Sequence, residues 1–122
     1  MFRGGVVTVY VSDMDRAVSF YVDTLGFTLK ERHGNHWASL DGGPGLTIGL
    51  HPATAEVPAG RQGSIALGLY VERPIADAVK QLLSRGVHFA GPIIEDKALS
   101  LAFFADPDRN PLYLAEMKQV HR

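Results

Sequence analysis

Apolar and polar residues alternate along the chain as strands and amphipathic helices require, and the order of predicted elements occurs twice. Residues 6–11 are rich in β-branched side chains and predict a strand, and residues 14–25 carry apolar side chains at helical spacing. Residues 64–71 predict a second such strand, and residues 74–85 a second helix. One supersecondary unit is therefore repeated after about 60 residues.

Three further strands follow each predicted helix. They are residues 27–32, 36–40 and 46–51 in the first half, and residues 87–94, 99–105 and 112–117 in the second. Gly26 is expected to end the first helix, and Pro74 to occupy the first position of the second. The order βαβββ–βαβββ predicts an α+β fold with modules at residues 1–51 and 63–122, joined by a proline-containing linker at residues 52–62.

Strand alternation gives each predicted sheet one aliphatic face and one mixed face. Val7, Val9 and Val11 form an aliphatic set that is expected to pack under a helix. The mixed faces contain the small residues Gly49, Ala66 and Gly68, next to polar and aromatic side chains. Small residues on a sheet face leave room for a ligand or for a partner chain.

Composition narrows the functional classes. The 122 residues have a formal net charge of −1, which gives no indication of binding to nucleic acid or to an anionic membrane surface. The chain has no cysteine, so it has no disulfide, thiolate metal ligand or thiol nucleophile, and we expect a cytoplasmic protein. No apolar run approaches the roughly 20 residues that span a bilayer. Phosphate-binding and hydrolase-elbow motifs are also absent from the sequence.

Two segments resemble the vicinal oxygen chelate superfamily, which includes glyoxalase I, extradiol dioxygenases, and fosfomycin- and bleomycin-resistance proteins. VSDMDRAVSFYVDTLGF (11–27) resembles its first strand–helix unit, and ADPDRNPLYLAEM (105–117) resembles its closing hairpin. The resemblance implies paired βαβββ modules whose curved mixed sheets form a cup-shaped cleft, usually in a dimer. Arg109 replaces the glycine usual in the family, and would cost roughly 1 kcal/mol if its φ is positive.

The resemblance also identifies the positions at which metal-dependent members carry ligands. These positions are Val6, Gly49, Ser64 and Tyr113 in this chain. Divalent transition metals require several converging His, Cys or carboxylate donors, which these residues do not supply. We therefore expect no metal and no cofactor, and a protein closest to the metal-free, bleomycin-resistance-like members.

The lining that remains in the implied cup is aromatic and polar. The predicted ligand-binding residues are Thr8, Tyr10, Trp37, His51, Ser64, Phe104 (or its neighbour Phe103) and Tyr113. Bleomycin-type members bind planar cationic or aromatic ligands by stacking, and large rigid rings with a polar tip suit that role. The sequence thus predicts metal-independent binding or sequestration of a small, aromatic or planar organic molecule by a homodimer.

Three alternatives remain open at the level of sequence. The chain could be a lyase-like or dioxygenase-like enzyme of the same superfamily that uses unusual metal ligands such as His36, His51 and Glu56. It could be an accessory domain that binds a metabolite or a protein. Trp37 and Tyr113 could instead fill a small core. Among the histidines, His51 is the best candidate for a pH-sensitive or acid–base group.

Overall fold

The computed structural model of the chain describes residues 1, 6–60, 66–72 and 74–118, which form eight strands and two helices. In chain order the elements are β1 (Val7–Val11), α1 (Met14–Ser19), β2 (Thr28–His33), β3 (Trp37–Asp41), β4 (Thr47–Pro52), β5 (Leu67–Tyr70), α2 (Ile75–Ser84), β6 (Ile94–Glu95), β7 (Leu99–Ala105) and β8 (Pro111–Met117). After α1 the chain continues through one π-helical turn, Phe20–Thr24. No helix in the described part of the chain is long and apolar enough to cross a bilayer.

The strands form two four-stranded mixed sheets with the same topology. The first has the order β1-β4-β3-β2, and the second has the order β5-β8-β7-β6. The first strand of each sheet is parallel to the last strand of its module, and the other pairs are antiparallel. Two βαβββ modules of an α+β fold are therefore confirmed.

The chain divides into two compact units. One comprises Met1–Arg61 with Pro107–Asn110, and the other comprises Gln62–Asp106 with Pro111–Arg122. The turn between β7 and β8 thus belongs to the first unit. In that unit the Asp108 carboxylate accepts hydrogen bonds from the Ser12 backbone N–H, at 3.0 Å, and from the Ser12 hydroxyl. Asn110 Nδ2 donates to the Tyr10 carbonyl at 3.1 Å, and the Gly60 N–H donates to Asn110 Oδ1 at 3.1 Å.

Each unit has a core between its helix and the aliphatic face of its sheet, as the alternation predicts. In the first unit Leu40, Ile48 and Leu50 are fully buried, together with Tyr21 from the π-helical turn. In the second unit the buried set consists mainly of Leu67, Ile75, Leu82, Ala102, Phe104, Leu112 and Leu114. Removal of these side chains from water is the main stabilising contribution to each unit.

The helix ends follow from local chemistry. Asp13 caps α1 by accepting a hydrogen bond from the Arg16 backbone N–H at 3.1 Å. Gly26 has φ +85°, as expected for a glycine that ends a helical segment. Pro74 is the N-cap of α2 rather than its first residue, and it offers no side-chain acceptor. The Ile75 N–H donates instead to Glu116 Oε1 of β8, at 2.8 Å.

Two strands of the second half differ from the prediction. The strand expected at residues 87–94 is reduced to Ile94–Glu95, because Gly91 has φ +128° and Pro92 has no N–H for a ladder. Phe89 makes only an isolated bridge with Phe104. The strand expected at residues 64–71 is Leu67–Tyr70, and residues 61–65 lie outside the described part of the chain. Arg109 has φ +68°, so it does adopt the costly conformation.

Candidate functional site

The side of the first sheet opposite α1 presents a compact group of polar and aromatic side chains. The strand register pairs Thr8 with Gly49 and Gly49 with Ser39, and it pairs Tyr10 with His51. Paired residues point to the same side of a sheet, and Trp37, two residues before Ser39, shares that side. We call the part of this side that lies on β1, β3 and β4 the Trp37 face, formed by Thr8, Tyr10, Trp37, Ser39, Gly49 and His51. Glu31 and His33 of β2, which pair with Ser39 and Trp37, border it.

The indole of Trp37 lies over the backbone of Gly49. A Cβ added at Gly49 would overlap Cη2, Cζ2 and Cζ3, which form the far edge of the six-membered ring. The glycine is therefore needed for the ring to lie this close to the sheet. The indole N–H belongs to the five-membered ring, and Trp37 is partly exposed.

His51 is held in one tautomer by its own strand. Its Nδ1 is 2.7 Å from the carbonyl oxygen of Pro52. A carbonyl oxygen can only accept, so Nδ1 carries the hydrogen, and Nε2 of the neutral ring is left as an acceptor. The ring centroid of Tyr10 lies 5.2 Å from that of His51, with the planes tilted by 54°.

The polar atoms of the Trp37 face have no protein partners in the described structure. The side chains of Thr8, Tyr10, Trp37 and Ser39 make no hydrogen bond, and neither does His51 Nε2. All five residues are partly or largely buried, and Ser39 is only 9% exposed. No fully buried polar side-chain atom among the described residues lacks a partner, so these atoms must reach the surface. They are available to a bound molecule.

The second sheet has a corresponding surface that is mainly apolar. Tyr113 pairs with Gly68 on one side and with Phe103 on the other. The Tyr113 ring covers Gly68, where an added Cβ would lie 2.5 Å from Cζ and Oη. The rings of Phe103 and Tyr113 have centroids 5.6 Å apart. We call this surface the Tyr113 face, which also carries Tyr70, Ile94, Leu101 and Met117.

The structure brings together four of the predicted ligand-binding residues, Thr8, Tyr10, Trp37 and His51, and places Tyr113 on the second sheet. Phe104 is placed differently. It is 4% exposed and faces the core, where its ring contacts that of Phe89, so Phe103 is the member of this pair on the Tyr113 face. Ser64 lies outside the described residues. Ser39 was not among the predicted ligand-binding residues, although its position two residues after Trp37 on the same strand indicates that it shares this face.

The residues at the family's metal positions do not fit a metal ion. Val6 precedes β1 and has no donor atom, and Gly49 lies beneath the Trp37 ring. Tyr113 offers one phenol, which covers Gly68. In the part of the chain that the structure describes, no three His, Asp or Glu side chains converge as a metal site, which also applies to His36, His51 and Glu56.

Residues 5–114 match the Glyoxalase/Bleomycin resistance protein/Dioxygenase superfamily, and the chain belongs to this superfamily. Similar solved structures support this assignment. TnmS3, an antibiotic binding protein from Streptomyces sp. CB03234, has a TM-score of 0.81 and 28% identity, with 97% of this chain and 98% of that chain covered.

A glyoxalase/bleomycin resistance protein from the same Streptomyces strain has a TM-score of 0.72 and 32% identity, with 92% of this chain and 98% of that chain covered. An uncharacterized protein of Mycolicibacterium smegmatis is 40% identical over a 60-residue alignment that covers 45% of this chain and 50% of that protein. The match thus spans about half the length of this curated relative.

Proposed function

We propose that this protein binds a small, planar or aromatic organic molecule on the Trp37 face without the help of a metal ion. The observation that carries the proposal is the partly exposed indole of Trp37, seated on Gly49 and surrounded by polar atoms that have no partner in the described structure. Such a surface offers stacking from the ring and orientation from the hydrogen-bonding groups.

The energetics favour an aromatic ligand. An offset or edge-to-face ring pair contributes about 0.5–1.5 kcal/mol beyond the area that it buries. Trp37 has only two side-chain torsions, and its position over Gly49 limits its movement, so little entropy is lost when a ligand stacks on it. The partly buried hydroxyl, indole and imidazole groups would discriminate between ligands, because each can form a hydrogen bond only with a ligand that has a matching polar atom.

The relatives support the same class of function. TnmS3 is an antibiotic binding protein, and its similarity to this chain extends over nearly the full length of both. Sequestration of a drug-like or secondary metabolite is therefore the role that we propose here. The homodimer and the cytoplasmic location are further parts of the proposal, and they rest on the family resemblance and on the absence of cysteine.

Trp37 makes the proposal directly testable, because it is the single tryptophan of the chain. We would titrate the metal-free protein with two planar probes, cationic acridine orange and neutral 2-naphthol, and follow binding by calorimetry and, where the probe's absorption allows, by indole emission. We expect Trp37→Ala to weaken binding about tenfold or more, since 1.4 kcal/mol corresponds to a factor of ten.

Leu83→Ala is the matched control, because Leu83 is 53% exposed on α2 of the second unit and is not part of the Trp37 face. It should bind as the wild type does. Circular dichroism would confirm that Trp37→Ala is folded. Unchanged affinity in a folded Trp37→Ala variant, or a strict need for added Zn²⁺, Ni²⁺, Mn²⁺ or Fe²⁺, would contradict the proposal.

A further inference from the structure

The polar groups of the Trp37 face are not equivalent in the hydrogen bonds that they can make. The hydroxyls of Thr8 and Tyr10 can donate or accept, and the indole nitrogen of Trp37 can only donate. His51 is different, since its Nδ1 hydrogen is committed to the Pro52 carbonyl at 2.7 Å. Its Nε2 is therefore the one group of this set that, in the neutral ring, can only accept.

The position of the His51 ring is fixed as well as its tautomer. The Nδ1 hydrogen bond ties one edge of the ring to the backbone of β4, and Tyr10 contacts the ring at a centroid distance of 5.2 Å. Nε2 lies at the far edge of the imidazole, has no partner in the described structure and reaches the surface. An acceptor held in this way favours ligands that carry a hydrogen-bond donor. A ligand without a donor would displace the water bonded to Nε2 and leave that atom without a hydrogen bond.

We propose that His51 determines the ligand specificity of the Trp37 face by accepting, at Nε2, a hydrogen bond from an O–H or N–H group of the bound aromatic molecule. This inference rests on the proposed function, and it narrows the ligand class to planar molecules that carry a donor at their edge. Methylation of that donor removes the hydrogen bond and leaves the ring system intact.

The test compares 2-naphthol with 2-methoxynaphthalene, which differ in the presence of the donor. Affinities are measured by calorimetry at pH 8, where histidine side chains are generally neutral. We expect the wild type to prefer 2-naphthol about tenfold, the factor that one hydrogen bond of ordinary strength provides. His51→Phe keeps a ring beside Tyr10 and removes the acceptor, so the ratio should fall to about one without weakening 2-methoxynaphthalene.

His88→Phe is the matched control, because His88 is an exposed histidine of the second unit and is not part of the Trp37 face. It should retain the preference for 2-naphthol. Nitrogen-15 spectra give a second measurement. Free His51 should show the Nδ1–H tautomer, and its Nε2 signal should move upfield on addition of 2-naphthol.

The possible outcomes are distinct. Equal binding of both probes by the wild type, retention of the preference in His51→Phe, or an Nε2–H tautomer in the free protein would overturn the role of His51 and leave the proposed function standing. Failure of the wild type to bind either naphthalene or acridine orange would overturn the proposed function, and with it this inference.

Discussion

The two units share a topology and differ in the surface that their sheets present. Each places an aromatic ring over a glycine, but the residues come from different strands. In the first unit Gly49 is on β4 and the ring comes from Trp37 on β3, whereas in the second Gly68 is on β5 and the ring comes from Tyr113 on β8. Repetition of the backbone has therefore not preserved which strand supplies the glycine and which supplies the ring.

The chemistry of the two surfaces diverges further. The Trp37 face carries polar atoms without partners in the described structure, whereas the Tyr113 face exposes apolar side chains such as Tyr70, which is 79% exposed, and Met117, which is 57% exposed. The first surface can orient a molecule by hydrogen bonds, and the second offers mainly apolar area. The fold therefore determines which side of each sheet is open, while a few side chains determine what each face can recognise.

Alanine at each glycine should have the largest effect and should separate the two faces. Gly49→Ala inserts a Cβ into the space of the Trp37 ring, and we expect a loss of about 1–3 kcal/mol of unfolding free energy, the usual range for overpacking. Displacement of the ring should also shift the Trp37 emission to the red. Gly68→Ala displaces the Tyr113 ring instead, so it should lower the free energy of unfolding by a similar amount.

Urea denaturation and tryptophan fluorescence of the two variants provide the measurements. A Gly68→Ala variant with native stability would show that the Tyr113 ring does not rest on Gly68. A Gly49→Ala variant with native stability and native emission would show that the Trp37 ring does not rest on the glycine.

The two helix starts should differ in the kind of interaction that supports them. Asp13, the residue directly before α1, caps that helix. At the start of α2, Glu116 of the distant strand β8 accepts the hydrogen bond from the Ile75 N–H. Asp13→Ala and Glu116→Ala should each destabilise the protein by about 1 kcal/mol, the typical value for a lost cap. Glu116→Gln keeps an acceptor oxygen and should recover most of that loss in thermal or urea unfolding. A Glu116→Gln variant as unstable as Glu116→Ala would contradict this assignment.

The smallest effect is expected at the turn between β6 and β7. The backbone N–H groups of Leu99 and Ala98 donate to the Asp96 carboxylate and, together with the charge of Lys118, lower its pKa below the usual 3.8. The folded form therefore holds the proton less tightly than the unfolded form. This contribution to stability is present above pH 3.8 and is lost as the pH falls through the lower folded pKa.

A carboxyl-carbon NMR titration should place the Asp96 midpoint below 3.8, and Asp96→Asn should remove this part of the acid sensitivity. The corresponding turn of the first unit, Gly34-Asn35-His36, has no carboxylate, so it should not contribute acid sensitivity of this kind. An Asp96 midpoint at or above 3.8 would contradict the prediction.

Periodicity was sufficient to predict the order of the elements along the chain and most of the strands. The alternation of Val7, Val9 and Val11 and the helical stripe after them reflect burial on one face, a strong and repeated signal. Residues 87–94 were harder to predict. Their apolar composition favours a strand, but Gly91 and Pro92 prevent continuous hydrogen bonding to a neighbouring strand. The N-cap position of Pro74 was also not predicted, because the acceptor for the first helical N–H, that of Ile75, comes from Glu116, 41 residues away.

The candidate site was predictable only in part. Alternation identified Thr8, Tyr10, Trp37 and His51 as members of one surface. It could not choose correctly between Phe103 and Phe104, because adjacent aromatic residues satisfy either register. The tautomer of His51 depends on a backbone carbonyl of its own strand, and a one-dimensional pattern contains no information about that hydrogen bond.

The turn Pro107–Asn110 limits where the polypeptide can be divided into fragments that fold. A truncated polypeptide ending at residue 61 would contain Ser12, Tyr10 and Gly60, but it would lack Asp108 and Asn110, which satisfy their polar groups. Gly60 has φ +73°, and a Cβ there would collide with the Asp108 carbonyl. Two fragments divided at residue 61 would therefore rebuild the first unit only when the second fragment supplies this turn.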